Sequence, residues 1–300
     1  MSADFPRCAV CGGERWRAAW RGKVRAGKFG SFTEPTEIRQ CEGCGVQRLA
    51  EGACKDESFY ASGDYREFLG QGKSAASFHA EHDPLQLERL NICRPHTLRG
   101  RTLADIGCAG GSFLDHVRGL AAAALAIEPA EHYHPVLAKN GYHVFASIKA
   151  AYKEWRGRIE RAFSFSVIEH VAEPRAFLQE ARELLAPEGT LLLSTPNRAD
   201  FLMELLPDEY PAFFYRSVHR WYFERDSLAR CAEAAGLKVA ELRCVHRFGP
   251  GNALGWLKDR RPPGRGPFPG MADAGLDAAW RATLERDFRG DSLYASLIRP

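Results

Sequence analysis

The 300-residue sequence contains no apolar run of the length, about 20 residues, that a membrane-spanning helix needs. Its formal net charge is only +3, from 41 lysines and arginines against 38 aspartates and glutamates, and no long basic block occurs. Such a weak, scattered charge is not typical of a nucleic-acid-binding protein. The sequence also lacks internal repeats and the apolar core of a secretory signal. We therefore expect a cytoplasmic protein.

The composition is that of a globular protein. Hydrophobic residues make up 45% of the sequence and charged residues 26%, which is typical of a domain with a large core. The length favours one full domain with attachments, or two small domains.

Four of the nine cysteines form two Cys-x-x-Cys pairs, and a glycine follows each pair. Two such turns can direct four thiolates at one tetrahedral Zn²⁺, which leaves no open position for catalysis. We predict a structural zinc in a zinc-ribbon module of residues 1–50, with Cys8, Cys11, Cys41 and Cys44 as ligands. The aromatic residues between the pairs are expected on its short strands: Trp16, Trp20, Phe29 and Phe32.

From residue 98 onward, apolar runs typical of strands alternate with runs typical of helices. This alternation is the pattern of a wound parallel sheet. An amphipathic helix is predicted at 174–185. A second helix is predicted at about 226–235, ending at Gly236. Strands are predicted at 101–105, 122–127, 142–145, 162–168, 190–195, 238–245 and 292–298.

The stretch Asp105–Phe113 joins the first of these strands to a helix through a glycine-rich turn. Glycines let the backbone approach a ligand, and the start of a helix offers unpaired N–H groups. The dinucleotide-binding pattern needs glycine at the third and sixth positions from Gly107, where this sequence has Ala109 and Ser112. The stretch therefore indicates a small-ligand site of another kind.

A carboxylate, Glu128, ends the second predicted strand, 21 residues after Gly107. A carboxylate at this edge of a nucleotide-binding sheet can accept hydrogen bonds from both ribose hydroxyls. The register of Glu128 with the glycine turn favours this role over that of a surface acid.

A third motif, Ser166–Val171, follows the fourth predicted strand and contains Glu169 and His170, and Pro196-Asn197 closes the fifth. In order and spacing, the three motifs resemble class I S-adenosylmethionine (SAM) methyltransferases, including the ubiquinone-pathway O-methyltransferases and many sugar and natural-product methyltransferases. The resemblance covers roughly residues 98–248.

The resemblance implies a Rossmann-like α/β fold, with a mostly parallel sheet of seven strands and helices on both faces. It implies that SAM lies against the glycine turn and that two connector tyrosines close over it. The residues expected to bind SAM are Asp105, Gly107, Cys108, Ala109, Gly111, Phe113, Glu128, Pro129, Ile168, Glu169, Tyr60 and Tyr65.

The cysteine pairs narrow the resemblance to a branch with an N-terminal Cys-x-x-Cys…Cys-x-x-Cys module and a Tyr-x-x-x-x-Tyr connector. Members of this branch occur with polysaccharide and secondary-metabolite biosynthesis. We expect a helical connector that caps the cofactor at 51–97 and a methyltransferase domain at 98–300. Within that domain, we expect a lid at 200–224 and an irregular loop at 249–290.

Two histidines are candidates for the general base that deprotonates the acceptor. His170 follows the fourth strand, and His219 lies in the aromatic-rich lid; either imidazole could act near neutral pH, and either could be a structural hydrogen-bonding group. The predicted acceptor is a hydroxyl of a sugar or polar metabolite, a small molecule.

Two alternatives remain open. The first is a zinc-ribbon rRNA methyltransferase, because basic residues cluster in the N-terminal module: Arg7, Arg15, Arg17, Arg21, Lys23, Arg25 and Lys28. The second is a non-catalytic SAM-binding scaffold.

Overall fold

The computed structural model describes residues 5–27, 30–263 and 273–300. Phe29, named in the ribbon prediction, and Lys28, named in the rRNA alternative, lie outside this range, as does part of the predicted loop. None of the helices in the described part of the chain could span a membrane.

Eleven strands and thirteen α-helices are assigned within the described residues. The strands are β1 (Trp16–Gly22), β2 (Thr36–Cys41), β3 (Gln47–Leu49), β4 (Thr102–Ile106), β5 (Ala123–Ile127), β6 (His143–Phe145), β7 (Ile159–Phe165), β8 (Leu185–Pro196), β9 (Trp221–Tyr222), β10 (Lys238–Val245) and β11 (Ser292–Ile298). The helices are α1 (Glu57–Ala61), α2 (Asp64–Phe68), α3 (Ala75–His82), α4 (Gln86–Cys93), α5 (Ser112–Val117), α6 (His134–Lys139), α7 (Ile148–Trp155), α8 (Pro174–Leu184), α9 (Leu202–Leu205), α10 (Tyr210–Phe214), α11 (Arg225–Ala234), α12 (Pro250–Asp259) and α13 (Ala274–Arg286).

Seven strands form one sheet in the order β10-β11-β8-β7-β4-β5-β6. Strand β4 pairs in parallel with β5 and β7, β5 pairs in parallel with β6, and β7 pairs in parallel with β8. Most residues of β4 and β5 are buried, as expected for parallel strands that helices cover on both faces. The predicted mostly parallel, seven-stranded, Rossmann-like sheet is confirmed.

The strand order reverses at β4. The chain continues from β4 to β5 and β6 on one side, and then returns to place β7 and β8 on the other side. The carboxyl ends of β4 and β5 carry Asp105 and, one residue beyond β5, Glu128. In open α/β sheets, ligands bind in the crevice at such a reversal point. The fold therefore places both acidic residues where a ligand is expected.

Strand β7 ends three residues earlier than predicted, at Phe165. Ser166 adopts a left-handed backbone conformation with φ +57°, and its N–H donates to the carbonyl of Ser194 at 3.0 Å. The strand therefore ends at this turn, before Val167 to His170.

The chain divides into two compact units. One holds the N-terminal segment up to Cys54 together with Thr195–Arg230 and Leu242–Tyr294; the other holds Lys55–Ser194, Cys231–Glu241 and Ala295–Pro300. The boundaries at residues 50 and 97 stay a prediction.

The first unit contains a second, four-stranded sheet in the order β1-β2-β3-β9. Its three pairs are antiparallel. Strands β1 to β3 come from the cysteine-containing segment, whereas β9 comes from the segment predicted as a lid. This shared sheet was not predicted from the sequence.

The prediction of an irregular loop at 249–290 is wrong, because α12 and α13 occupy much of it. Pro250 is tolerated as the first residue of α12, where a helix needs no N–H donor. A Cβ at Gly255 would lie 2.5 Å from Cβ of Pro263, so this glycine permits close packing. At the start of α13, the Asp273 carboxylate accepts a hydrogen bond from the N–H of Leu276 at 2.7 Å. Packing and capping override the glycine content here.

Candidate SAM site and cysteine cluster

The glycine turn after β4 needs glycine at two of its positions. Gly107 has φ +81° and Gly111 has φ +88°, both in the left-handed region that favours glycine. A Cβ would lie 2.5 Å from Cγ2 of Val167 at the first position and 2.8 Å from Cδ2 of Leu137 at the second. Glycine at these two positions thus lets the turn pack closely against Val167 and Leu137 at the edge of the sheet.

Ala109, at the middle of this turn, also adopts a left-handed conformation, with φ +47°. An L-residue in this region has its Cβ close to the following carbonyl oxygen, at a cost of roughly 1–2 kcal/mol. The turn therefore carries strain at the position where glycine would be unstrained.

The Glu128 carboxylate holds the turn in place. Its Oε2 accepts a hydrogen bond from the N–H of Ala109 at 2.7 Å, and its Oε1 accepts one from the N–H of Ala130 at 2.9 Å. The residue is 7% exposed. Burial raises the pKa of Glu128, although these backbone hydrogen bonds act in the opposite direction.

A carboxylate offers about four acceptor positions, and the two backbone donors occupy two of them. The remaining capacity fits two ribose hydroxyls. Glu128 can therefore hold the glycine turn and a nucleoside at once.

Asp105 is the second buried acid of the site, with 3% of its surface exposed. Burial raises the pKa of Asp105 to about 7, while the Arg89 guanidinium lowers it and the Glu128 carboxylate raises it. A cationic ligand near this carboxyl would favour its ionised form.

The connector helices contact the glycine turn directly. His79 of α3 lies with Nε2 at 3.1 Å from the carbonyl oxygen of Gly110. Ser112, the first residue of α5, accepts a hydrogen bond from Gln86 Nε2 at 2.8 Å and donates one to Asp83 Oδ1 at 2.6 Å. His79, Asp83 and Gln86 were missed, because they form no motif in the sequence; the only signal was the position of His79 in an aromatic-rich connector.

Four predicted site residues, Tyr60, Tyr65, Glu169 and His170, form one cluster in the second unit. The Tyr60 hydroxyl lies 3.3 Å from Nδ1 of His170. The imidazole packs edge-on against Tyr60 and Tyr65, with ring centroids 5.3 and 5.6 Å away. The buried carboxylate of Glu169 lies 4.0 Å from Nε2 of the same ring. This cluster holds the imidazole between two phenols and a carboxylate.

The other predicted SAM-site residues differ in their surroundings. The ring of Phe113 packs in the core, with centroids 4.7 and 4.9 Å from Phe163 and Phe165. Cys108 and Ile168 are also buried, whereas Pro129 is exposed just after β5.

His219 lies in the first unit and is buried. The backbone N–H of His219 donates to the carbonyl of Arg216 at 3.0 Å, and the ring Nε2 lies 3.5 Å from Nη1 of the same arginine. The roles of both histidines stay predictions.

The two cysteine pairs meet, with the four sulfur atoms within 4.8 Å of one another. Sγ of Cys8 lies 3.7 Å from Sγ of Cys44, and Sγ of Cys11 lies 3.5 Å from Sγ of Cys41. A tetrahedral zinc with Zn–S distances of about 2.3 Å has S···S edges of about 3.8 Å. All nine cysteines lie in the described residues and are free thiols. The donor set therefore fits a structural zinc.

A parallel sheet with a glycine turn after its central strand, and a buried carboxylate at the end of the next, defines a Rossmann-like nucleotide-binding domain. The family described as "Methyltransferase domain" matches residues 80–242, more than half of the chain. The chain belongs to this family of SAM-dependent methyltransferases. Membership favours an enzyme over a non-catalytic scaffold.

Two curated relatives are named ubiquinone biosynthesis O-methyltransferase. The protein of Dinoroseobacter shibae is 31% identical over 180 residues, covering 55% of this chain and 71% of the relative. That of Azorhizobium caulinodans is 26% identical over 222 residues, covering 70% and 83%. Among solved structures, a SAM-dependent methyltransferase from Thermotoga maritima, titled a possible histamine N-methyltransferase, is 17% identical with a TM-score of 0.47, covering 74% of this chain and 91% of that chain.

The strain at Ala109 predicts that Ala109→Gly stabilises the protein. Removing Cβ relieves the left-handed penalty, and the larger entropy of glycine in the unfolded chain offsets part of the gain, so the free energy of unfolding should rise by about 1 kcal/mol. Urea denaturation measures it. The control is Ala104→Gly on the buried strand β4, which should lower the free energy of unfolding. If both variants lose the same amount of stability, Ala109 is not strained.

The position of Glu128 predicts that Glu128→Gln weakens binding of S-adenosylhomocysteine (SAH), the reaction product. Hydrogen bonds to a charged acceptor contribute about 1.5–3 kcal/mol, so losing one such interaction should raise the Kd at least about tenfold. Isothermal titration calorimetry measures the Kd. The exposed neighbour Glu131 provides the control, Glu131→Gln, which should bind normally. An unchanged Kd in folded Glu128→Gln would show that the ribose lies elsewhere.

Proposed function

We propose that this enzyme transfers the methyl group of SAM to a hydroxyl oxygen of a small polar acceptor, a sugar or metabolite. The observation that carries this proposal is the imidazole of His170, held by Tyr60 and Tyr65 beside the buried carboxylate of Glu169. A hydroxyl must lose its proton during methyl transfer, and an imidazole is the side chain best suited to take it near neutral pH.

The SAM site would consist of the glycine turn and the two buried acids. The Glu128 carboxylate would accept hydrogen bonds from the ribose hydroxyls. Asp105 would face the positively charged amino group at the amino-acid end of SAM. Gly107 and Gly111 let this turn pack closely against Val167 and Leu137. Tyr60 and Tyr65, together with Ile168 and Glu169, would flank the methyl group.

When bound, SAM supplies the methyl carbon and a sulfonium leaving group. The carbon–sulfur bond breaks as the carbon–oxygen bond forms, and SAH leaves. The residues must align the acceptor oxygen with the carbon–sulfur axis, which can contribute a large part of the rate. His170 takes the hydroxyl proton, and the nearby Glu169 carboxylate favours the resulting imidazolium.

The relatives support oxygen as the acceptor atom, because both are named O-methyltransferases. A sugar or polar metabolite as the acceptor rests on the resemblance to the branch with cysteine pairs. The rRNA alternative predicts a different acceptor and is tested in the same assay.

The four cysteines would hold a structural zinc, whose ligand set is complete without water or substrate. Zinc would therefore stabilise the fold of the first unit and would take no part in methyl transfer.

The direct test is transfer of tritium from [methyl-³H]SAM to a panel of nucleotide sugars, polar phenols and rRNA. We expect the labelled methyl group on an oxygen atom of a small molecule. Label in rRNA would instead establish the alternative, and label on nitrogen or carbon would overturn the choice of oxygen.

His170→Asn should lower kcat about 10²- to 10⁴-fold on the acceptor found in that panel, because the general base is lost. The loss should shrink as the pH rises and more acceptor ionises, while the Kd for SAH stays within twofold. His219→Asn is the matched comparison. If His170→Asn keeps the full kcat and His219→Asn loses it, the general base is His219 and not His170.

The buried carboxyl of Asp105 predicts pH-dependent cofactor binding. Its pKa of about 7 means that it loses its proton as the pH rises from about 6 to 8. The cationic amino group of SAH favours the ionised form, so affinity should increase over this range. Calorimetry at several pH values measures the slope, which Asp105→Asn should flatten; an unchanged slope would show that another group is responsible.

A further inference from the structure

The cysteine-containing segment and the segment that carries His219 form one sheet. Strand β9 pairs with β3, with Tyr222 opposite Gln47 and Trp221 opposite Arg48. The N–H of Leu49 donates to the carbonyl of Arg220 at 3.0 Å. We call Tyr215–Phe223 the His219 segment. Its backbone is thus hydrogen-bonded to the strand that begins three residues after Cys44.

The two segments also share a hydrophobic core. Val24, Ile38 and Leu49 of the cysteine-containing segment are fully buried. They belong to one cluster with residues from the later part of the chain: Leu202, Leu206, Tyr210, Phe214, Tyr215, Tyr222 and Trp256. Two members, Tyr215 and Tyr222, belong to the His219 segment, so this segment and the cysteine-containing segment pack in one core.

Glu51 joins the two segments electrostatically. It accepts hydrogen bonds from Nη1 of Arg220 at 2.6 and 2.8 Å, and it forms an ion pair with Arg48. The guanidinium of Arg48 is buried and lies 5.2 Å from the centre of the Trp221 ring. Burial tends to raise the pKa of Glu51, but the hydrogen bonds from both arginines outweigh it and lower the pKa.

Further contacts reach the cysteine turn itself. Nη1 of Arg230 donates to the carbonyl of Gly43, between Cys41 and Cys44, at 2.9 Å. The N–H of Cys41 donates to the carbonyl of Val46 at 2.9 Å, which closes the turn between β2 and β3. The cysteine turn is therefore hydrogen-bonded directly to the residue that precedes β3.

We infer that the zinc-binding turn positions the His219 segment, and that Glu51 is the positioning residue that connects them. The cysteine module is then part of the structure that carries His219, instead of a separate appendage. This inference rests on the proposed zinc site. It concerns the first unit alone and does not depend on which histidine is the base.

The test uses hydrogen–deuterium exchange of the full chain, with metal content measured in parallel. We expect one zinc per chain, lost in Cys41→Ser/Cys44→Ser. Zinc loss should speed exchange of peptides from the His219 segment about tenfold or more by local opening. Peptides from the glycine turn should exchange as before, and the Kd for SAH should stay within twofold.

Glu51→Gln separates positioning from zinc binding. This variant should retain one zinc per chain, yet exchange in the His219 segment should rise about tenfold, as expected for the loss of a charge-assisted hydrogen bond. Glu37→Gln is the control, because Glu37 pairs with Arg39 in the same sheet. Normal exchange in Glu51→Gln would overturn its positioning role.

Absence of zinc from the purified protein, or unchanged exchange of the His219 segment after zinc loss, would overturn the inference as a whole. These readouts need no acceptor, so their failure is distinct from a failure of the proposed methyl transfer. Conversely, absence of transfer from labelled SAM would overturn the proposed function and leave the exchange result intact.

Discussion

The hydrogen bonds between the Glu128 carboxylate and the backbone N–H groups of Ala109 and Ala130 are the contacts on which the proposed cofactor site depends. They join the turn after β4 to the end of β5. They also offset part of the free-energy cost of burying the carboxylate away from water. They also hold Ala109 in a left-handed conformation that it would not adopt alone. Because acceptor capacity remains on the carboxylate, one side chain can shape the turn and receive a ribose.

The connector helices of the second unit also contact the glycine turn. His79 lies against the carbonyl of Gly110, and Gln86 and Asp83 hold the hydroxyl of Ser112. The connector therefore forms part of the wall of the proposed cofactor site. The same connector supplies Tyr60 and Tyr65, which pack on His170. Cofactor binding and the candidate base thus rely on helices that precede the sheet in sequence. In the first unit, the cysteine turn has the corresponding role for His219.

Much of the sheet could be predicted because its signals are local. Strands β10 and β11 lie at the predicted 238–245 and 292–298. The sequence of β11 is a short, largely apolar run, and β10 begins shortly after the glycine that follows α11. The pairing of β9 with β3 could not be predicted, because it joins residues far apart in sequence and β9 has only two residues. Helices α12 and α13 were missed because glycines and prolines that suggest a loop are accommodated here by packing and capping. The meeting of the two cysteine pairs could be predicted from their spacing, and the position of Glu128 from the strand end and its register with the glycine turn. The contact of His79 with Gly110 could not be predicted, because no spacing reveals it.

A crystal structure of the protein with SAH is the most direct test of the central claim, that the glycine turn and Glu128 form the cofactor site. We predict both ribose hydroxyls within hydrogen-bonding distance of the Glu128 carboxylate, with the hydrogen bond from Ala109 retained and the amino-acid end of SAH beside Asp105. A nucleoside bound elsewhere, or a Glu128 carboxylate that contacts only the backbone in the complex, would contradict it.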